Sequence, residues 1–183
     1  MTKRHLELTG ALVLSSLLVL VALLAITSIA ACSNAPADSR IHVAAPDRAQ
    51  FPPVGVYLNQ RCGSADCHGS PQRNLVIYGC KGLRLDPADT PGCRRTGGVD
   101  TTASELDATY RSLVGLEPVV MSAVVAGKGQ APELLTFVRK ARGTESHKGG
   151  ALITPGDSQD TCIVSWLGGA TDTDACTQAL GAP

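Results

Sequence analysis

One short stretch carries most of the reactive chemistry of this chain: Cys62-Gly63-Ser64-Ala65-Asp66-Cys67-His68-Gly69. Two thiols and an imidazole on so short a loop suit three kinds of chemistry. The thiols can close on each other as a disulfide. With the imidazole they can contribute to a zinc site, since thiolates and ring nitrogens are that ion's ligands. Or they can anchor a haem, as in the C-x-x-C-H signature. There the two sulfurs form thioethers to vinyl groups on one side of a rigid ring, and the adjacent histidine reaches the iron. Here the spacer is four residues, a less frequent form of that signature. All three readings are compatible with export, and the spacing alone leaves them open.

The elements that must position this loop are mostly helical. Val54, Tyr57 and Leu58 recur at i, i+3, i+4, which predicts a short helix running into Cys62. Residues 69–100 are rich in Gly and Pro and read as irregular, interrupted by possible short strands at 75–78 and 83–85. Thr102-x-x-Glu105 predicts a capping box, opening a helix that buries Leu106, Tyr110, Leu113 and Val114 and stops at Gly115. Pro132 fits a first helical position, with Leu134, Leu135, Val138 and Ala141 on one face and Gly143 at the end. Asp157 is a cap for a helix burying Cys162, Ile163, Trp166 and Leu167 and ending at Gly168. A last short helix from Asp172 carries Cys176 and Leu180.

Composition narrows the function classes. Within 183 residues, 16 basic side chains balance 16 acidic ones. A basic face or stripe, the footprint of a nucleic-acid binder, is therefore not expected. There is no P-loop glycine pattern and no GxSxG elbow, which argues against nucleotide hydrolysis and α/β-hydrolase chemistry. Aromatic residues make up only 3%. A domain so poor in large side chains must offset about 1–2 kcal/mol of backbone ordering entropy per residue. A large flat apolar cofactor, or disulfides, would help to supply the difference.

The N-terminus predicts export. Lys3 and Arg4 precede the uncharged run Ala11–Ala31, which is long enough to span a bilayer and ends at Ile29-Ala30-Ala31-Cys32. Those last four residues resemble the bacterial lipobox. That resemblance implies a signal peptide over 1–31, lipidation of Cys32 and a membrane held through acyl chains, each buried CH₂ adding about 0.8 kcal/mol. An uncleaved anchor is the alternative. Ser33 rather than Asp after the Cys implies, by the same resemblance, the outer membrane. Residues 32–53, rich in Pro and polar side chains, read as the lipidated start and a flexible tether, and 54–183 as the folded domain. Without 1–31 the formal charge is −1 and says little about partners.

Several short motifs occur in a telling order: Cys67-His68-Gly69, Leu83-Arg84-Leu85-Asp86, Leu113-Val114-Gly115, Pro155-Gly156-Asp157 and Ile163-Val164-Ser165-Trp166-Leu167. Over about residues 54–169 the chain resembles the short haem-c domains of exported proteins in planctomycetes, myxobacteria and their relatives. The resemblance implies a mostly α, small c-type cytochrome-like domain with long Gly/Pro-rich loops. It implies haem c attached through Cys62 and Cys67, with His68 as the proximal ligand. Two departures stand out: the four-residue spacer, and Leu152-Ile153-Thr154-Pro155 where such domains often place Met-Pro as the distal ligand.

The sixth ligand is therefore sought by elimination. His5 lies in the signal and His42 in the tether, which leaves His147 in a Gly-containing loop and Met121 in an apolar run. His147 is preferred and Met121 is the alternative; an open or water-bound position is a third arrangement. A His/Met pair raises the potential above that of a bis-His pair. The remaining cysteines suit two disulfides, Cys80 with Cys93 and Cys162 with Cys176, each worth about 3 kcal/mol for loops of this size. The count closes equally well with three disulfides. The expectation is a lipid-anchored monohaem carrier in the cell envelope, exchanging electrons with an unidentified redox protein: a carrier rather than a catalyst. The alternatives are a disulfide-stapled envelope lipoprotein that binds or scaffolds without a cofactor, and a redox enzyme or sensor built on an open haem.

Overall fold

A computed structural model describes residues 43–89, 92–93 and 98–181. The expected signal peptide over 1–31, the expected lipidation at Cys32 and half of the expected tether (32–42 of 32–53) lie outside the described residues. Among the described residues six α-helices follow in order: α1 (Pro52–Cys62), α2 (Ala103–Val114), α3 (Pro118–Ala126), α4 (Thr136–Ala141), α5 (Ser158–Leu167) and α6 (Thr173–Gly181). Single 3₁₀ turns precede α1 (Arg48–Gln50) and α4 (Pro132–Leu134). Among the described residues there is no strand, and no helix is long and apolar enough to cross a membrane. The molecule is mostly helical and carries two disulfides, Cys80–Cys93 and Cys162–Cys176.

The helix boundaries follow local chemistry. Thr102 and Glu105 form both bonds of the capping box that opens α2, which ends at Gly115. Asp157 accepts the Asp160 N–H at 2.7 Å and starts α5, which ends at Gly168. Prolines occupy the first turns of α1 and α3, where a missing N–H is harmless.

The core gathers on α1, α5 and the segment before α1. Phe51 and Trp166 are fully buried with ring centroids 5.0 Å apart, and Tyr110 closes an aromatic cluster with both. The Trp166 indole donates to the Asp47 carbonyl at 3.0 Å, and the Tyr110 hydroxyl to that of Pro46 at 2.8 Å. Residues 43–53 are thus not a spacer: the packed body reaches back to Val43. A buried aromatic at position 51 outweighs the Pro-rich composition around it.

Two further expectations change. Segments 75–78 and 83–85 do not form strands; only an isolated Tyr78/Leu83 bridge exists. Backbone donors there are taken by side chains: Val76 N–H goes to Ser112 Oγ, Tyr78 N–H to Thr109 Oγ1 and Cys80 N–H to Thr101 Oγ1. The loop is laced to α2 rather than to a partner strand. The helix predicted from Pro132 is also broken, at Leu135, which is extended. The Glu117 carboxylate accepts from the Thr136 N–H at 2.7 Å and its hydroxyl at 2.9 Å, restarting the helix. Leu134, expected inward, is exposed, as is Leu180, while Leu135, Val138 and Ala179 are buried.

Candidate functional site

The site grows out of the C-terminus of α1. Cys62 is its last residue and Gly63 follows as the cap. The four-residue spacer closes on itself: Cys67 N–H and Gly69 N–H both donate to the Ser64 carbonyl, and His68 N–H donates to that of Cys62 at 2.9 Å. The turn therefore returns His68 to the side of Cys62 despite the longer spacer. Arg73 fixes it from outside, donating to the carbonyls of Cys67 and Asp66, each at 2.9 Å. Gly69 is required by space: a Cβ there would stand 2.0 Å from the Gly63 carbonyl oxygen.

His147, 79 positions away in sequence, is brought to His68. The ring centroids are 5.9 Å apart and the planes differ by 23°. His68 Nδ1 pairs with the Leu75 carbonyl at 2.9 Å, and His147 Nδ1 lies 3.4 Å from that of Gly150. A ring whose Nδ1–H is held by a carbonyl offers Nε2 as the ligating atom, the usual arrangement of a metal-bound histidine. Burial, opposed by the Leu75 hydrogen bond and aided by His147 and Arg73, lowers the His68 pKa below its ordinary 6.5 and favours the neutral, ligating form.

Both histidines border a cavity of about 600 Å³. Its walls are largely apolar and come from every side of the fold: Leu58, Leu75, Ile77, Phe137, Ile153 and Ile163. A smaller cavity of about 210 Å³ lies against the same two histidines and is lined by Cys67, Asp66 and Gly149. Cys62 lines the larger cavity and Cys67 the smaller, so the histidine pair is flanked by one thiol in each. These thiols are not bonded to each other, whereas Cys80, Cys93, Cys162 and Cys176 are all paired. Burial pushes the Cys62 thiol up to about 11, with Cys67 adding to the shift and Arg61 opposing it.

The alternative ligand Met121 is fully buried in α3 and takes no part in lining either cavity. Among the described residues no group of three or more His, Cys, Asp or Glu converges as a metal cluster. Arg73 as a brace, Leu75 as the His68 partner and most of the apolar walls were not foreseen from the sequence. Only the hydrophobicity of 75–77 hinted at them, and it was read as strand. No family model, curated protein or solved structure matches this chain.

Proposed function

We propose that this chain is an envelope-anchored monohaem c-type cytochrome that passes electrons to and from a protein partner. In this reading Cys62 and Cys67 would anchor the haem through thioethers, His68 and His147 would hold its iron, and Cys32 would be the lipidated residue that holds the protein on a membrane, taken as the outer one. The observation that carries it is the spacing of His68 and His147 beside an apolar cavity. The two rings stand 5.9 Å apart and nearly parallel, each with its Nδ1 side toward a backbone carbonyl, so that their Nε2 atoms would be the ones to hold the iron. The residues fit the group in three further respects. The anchoring thiols are unpaired, the cavity falls within the 300–1,000 Å³ typical of cofactor sites, and its walls are apolar.

When bound, haem supplies a one-electron redox couple. The chain supplies the rest. The Leu75 carbonyl orients His68 and burial keeps its ring neutral. Leu58, Ile77, Phe137 and Ile163 would give the group an apolar wall. The closed turn at Ser64 lets anchoring and ligation share one loop. With His147 rather than Met121 as the second iron ligand, the couple would lie toward the lower-potential end of such carriers.

The reading is tested by producing the full chain together with a haem c maturation system and recording its pyridine haemochrome spectrum. A thioether-linked haem band is expected. A colourless protein without free thiols would instead support a disulfide-stapled lipoprotein with no cofactor.

A further inference from the structure

His147 reaches its place on a loop tied to α4 first by Thr144, whose N–H and hydroxyl both donate to the Arg139 carbonyl, and then by Glu145. The loop leaves α4 through Gly143 (φ +73°) and ends at Gly150 (φ +72°), two left-handed positions that suit glycine. Between them Glu145 uses both carboxylate oxygens. Oε2 lies 2.9 Å from Arg139 Nε, and Oε1 lies 2.9 Å from Lys140 Nζ. Lys140 also donates to the Ser146 carbonyl at 2.9 Å, immediately before His147.

Arg139 is itself a fixed post. Its remaining nitrogens donate to the carbonyls of Glu133 and Leu134 and to the Thr136 hydroxyl, and Thr136 is held in turn by Glu117. On the far side of Glu145 the ring has only a short turn of its own. Gly150 N–H donates to the His147 carbonyl, and the next bonds to the body are those of Leu152 and Ile153 with Ala141.

We propose that Glu145, clamped between Arg139 and Lys140, is the positioning residue that holds His147 opposite His68. This inference rests on the cytochrome reading above. It adds that the sixth ligand is retained by an ion-pair clamp one step removed from the iron. Loss of the clamp would raise the fraction of molecules with His147 swung away, without disturbing the α1–α5 core, since the ion pairs of Glu145 go to Arg139 and Lys140 of α4.

Carbon monoxide binding to the reduced holoprotein reads that fraction, because the gas can enter only when His147 is off. Exposed ion pairs are individually modest, so Glu145→Ala should bind carbon monoxide roughly threefold to tenfold faster than wild type. Glu145→Gln should fall between the two, and His147→Ala should bind fastest. Added salt should quicken wild type and leave Glu145→Ala unchanged, since screening acts only where the pairs exist. Thermal midpoints should stay together, which separates positioning from general destabilisation. Equal rates for wild type and Glu145→Ala, both carrying attached haem, would overturn the clamp and leave the cytochrome reading intact.

Absence of haem from matured wild type would overturn the cytochrome reading instead. The clamp would then be read by hydrogen exchange on the haem-free chain. Glu145→Ala should raise exchange at the Gly150 amide, which donates to the His147 carbonyl, and unchanged protection there would overturn it.

Discussion

At the scale of single residues, His68 and His147 make different predictions from Met121. In haem-loaded protein, His147→Ala should convert the low-spin visible spectrum to one with an open or water-bound position, and His68→Ala should do so more severely because it shares a turn with both anchors. Met121→Leu conserves volume in a buried site that touches neither cavity. It should leave the spectrum unchanged and cost less than about 1.5 kcal/mol of stability. A spectrum altered by Met121→Leu and not by His147→Ala would reverse the ligand assignment.

The titrating groups of the haem-free chain give a pH signature. His68 is depressed below 6.5, so in acid the unfolded chain binds a proton that the folded chain resists. Its contribution is complete above that ordinary value and is lost as pH falls through the lowered one. Cys62 is raised from 9.0 to about 11, so its contribution is complete below 9.0 and is lost as pH rises toward about 11. Denaturant midpoints across pH should show both edges, the acid one reduced in His68→Ala and the alkaline one in Cys62→Ser. Alkylation at pH 8 should label exposed Cys67 well before Cys62.

At the scale of elements, the capping box and the buried ion pair behind it are the sharpest tests. Thr102→Ala should cost about 1 kcal/mol, the ordinary value of an N-cap. Glu105→Ala should cost more, about 3–5 kcal/mol, because it leaves Arg84 buried without its main counter-charge. Arg84 Nε meets Glu105 Oε1 at 2.8 Å and both side chains are buried. Urea unfolding of the two variants measures the difference; equal losses would mean that Glu105 acts only as a cap.

Elements were legible in proportion to how local their causes are. Thr102, Glu105, Asp157, Gly115 and Gly168 mark helix ends by bonds to neighbours within a turn, and those ends are where the sequence placed them. Helix α3 was not read as a helix, because Val119 to Val125 is apolar on every side and carries no period, although Pro118 and Gly127 bracket it. The break at Leu135 depends on Glu117, a residue from another part of the chain. The loop at 75–80 looked like strand because its residues are β-formers, yet Ser112, Thr109 and Thr101 of the following segment compete for its amides.

At the scale of the molecule, the candidate site is a meeting of distant segments. The Cys62–His68 turn is legible in the sequence as a motif. That His147 comes to His68 was reached only by elimination among four histidines; the 5.9 Å approach belongs to the tertiary fold. Leu58, Ala141 and Ile163 are legible as apolar faces of their helices, but their convergence on one cavity is not, since its walls draw on α1, the 75–77 loop, α4, the 152–153 segment and α5. A cavity of about 600 Å³ with apolar walls is a stability deficit for the chain alone, so covalent filling should raise the thermal midpoint of the matured protein above that of the haem-free polypeptide.

The most direct test is the mass of the peptide spanning residues 62–68, taken from full-length protein matured with the haem c attachment machinery. The account predicts that this peptide carries one haem through two thioethers, with Cys80–Cys93 and Cys162–Cys176 intact. A peptide without added mass, its Cys62 and Cys67 joined to each other, would contradict it.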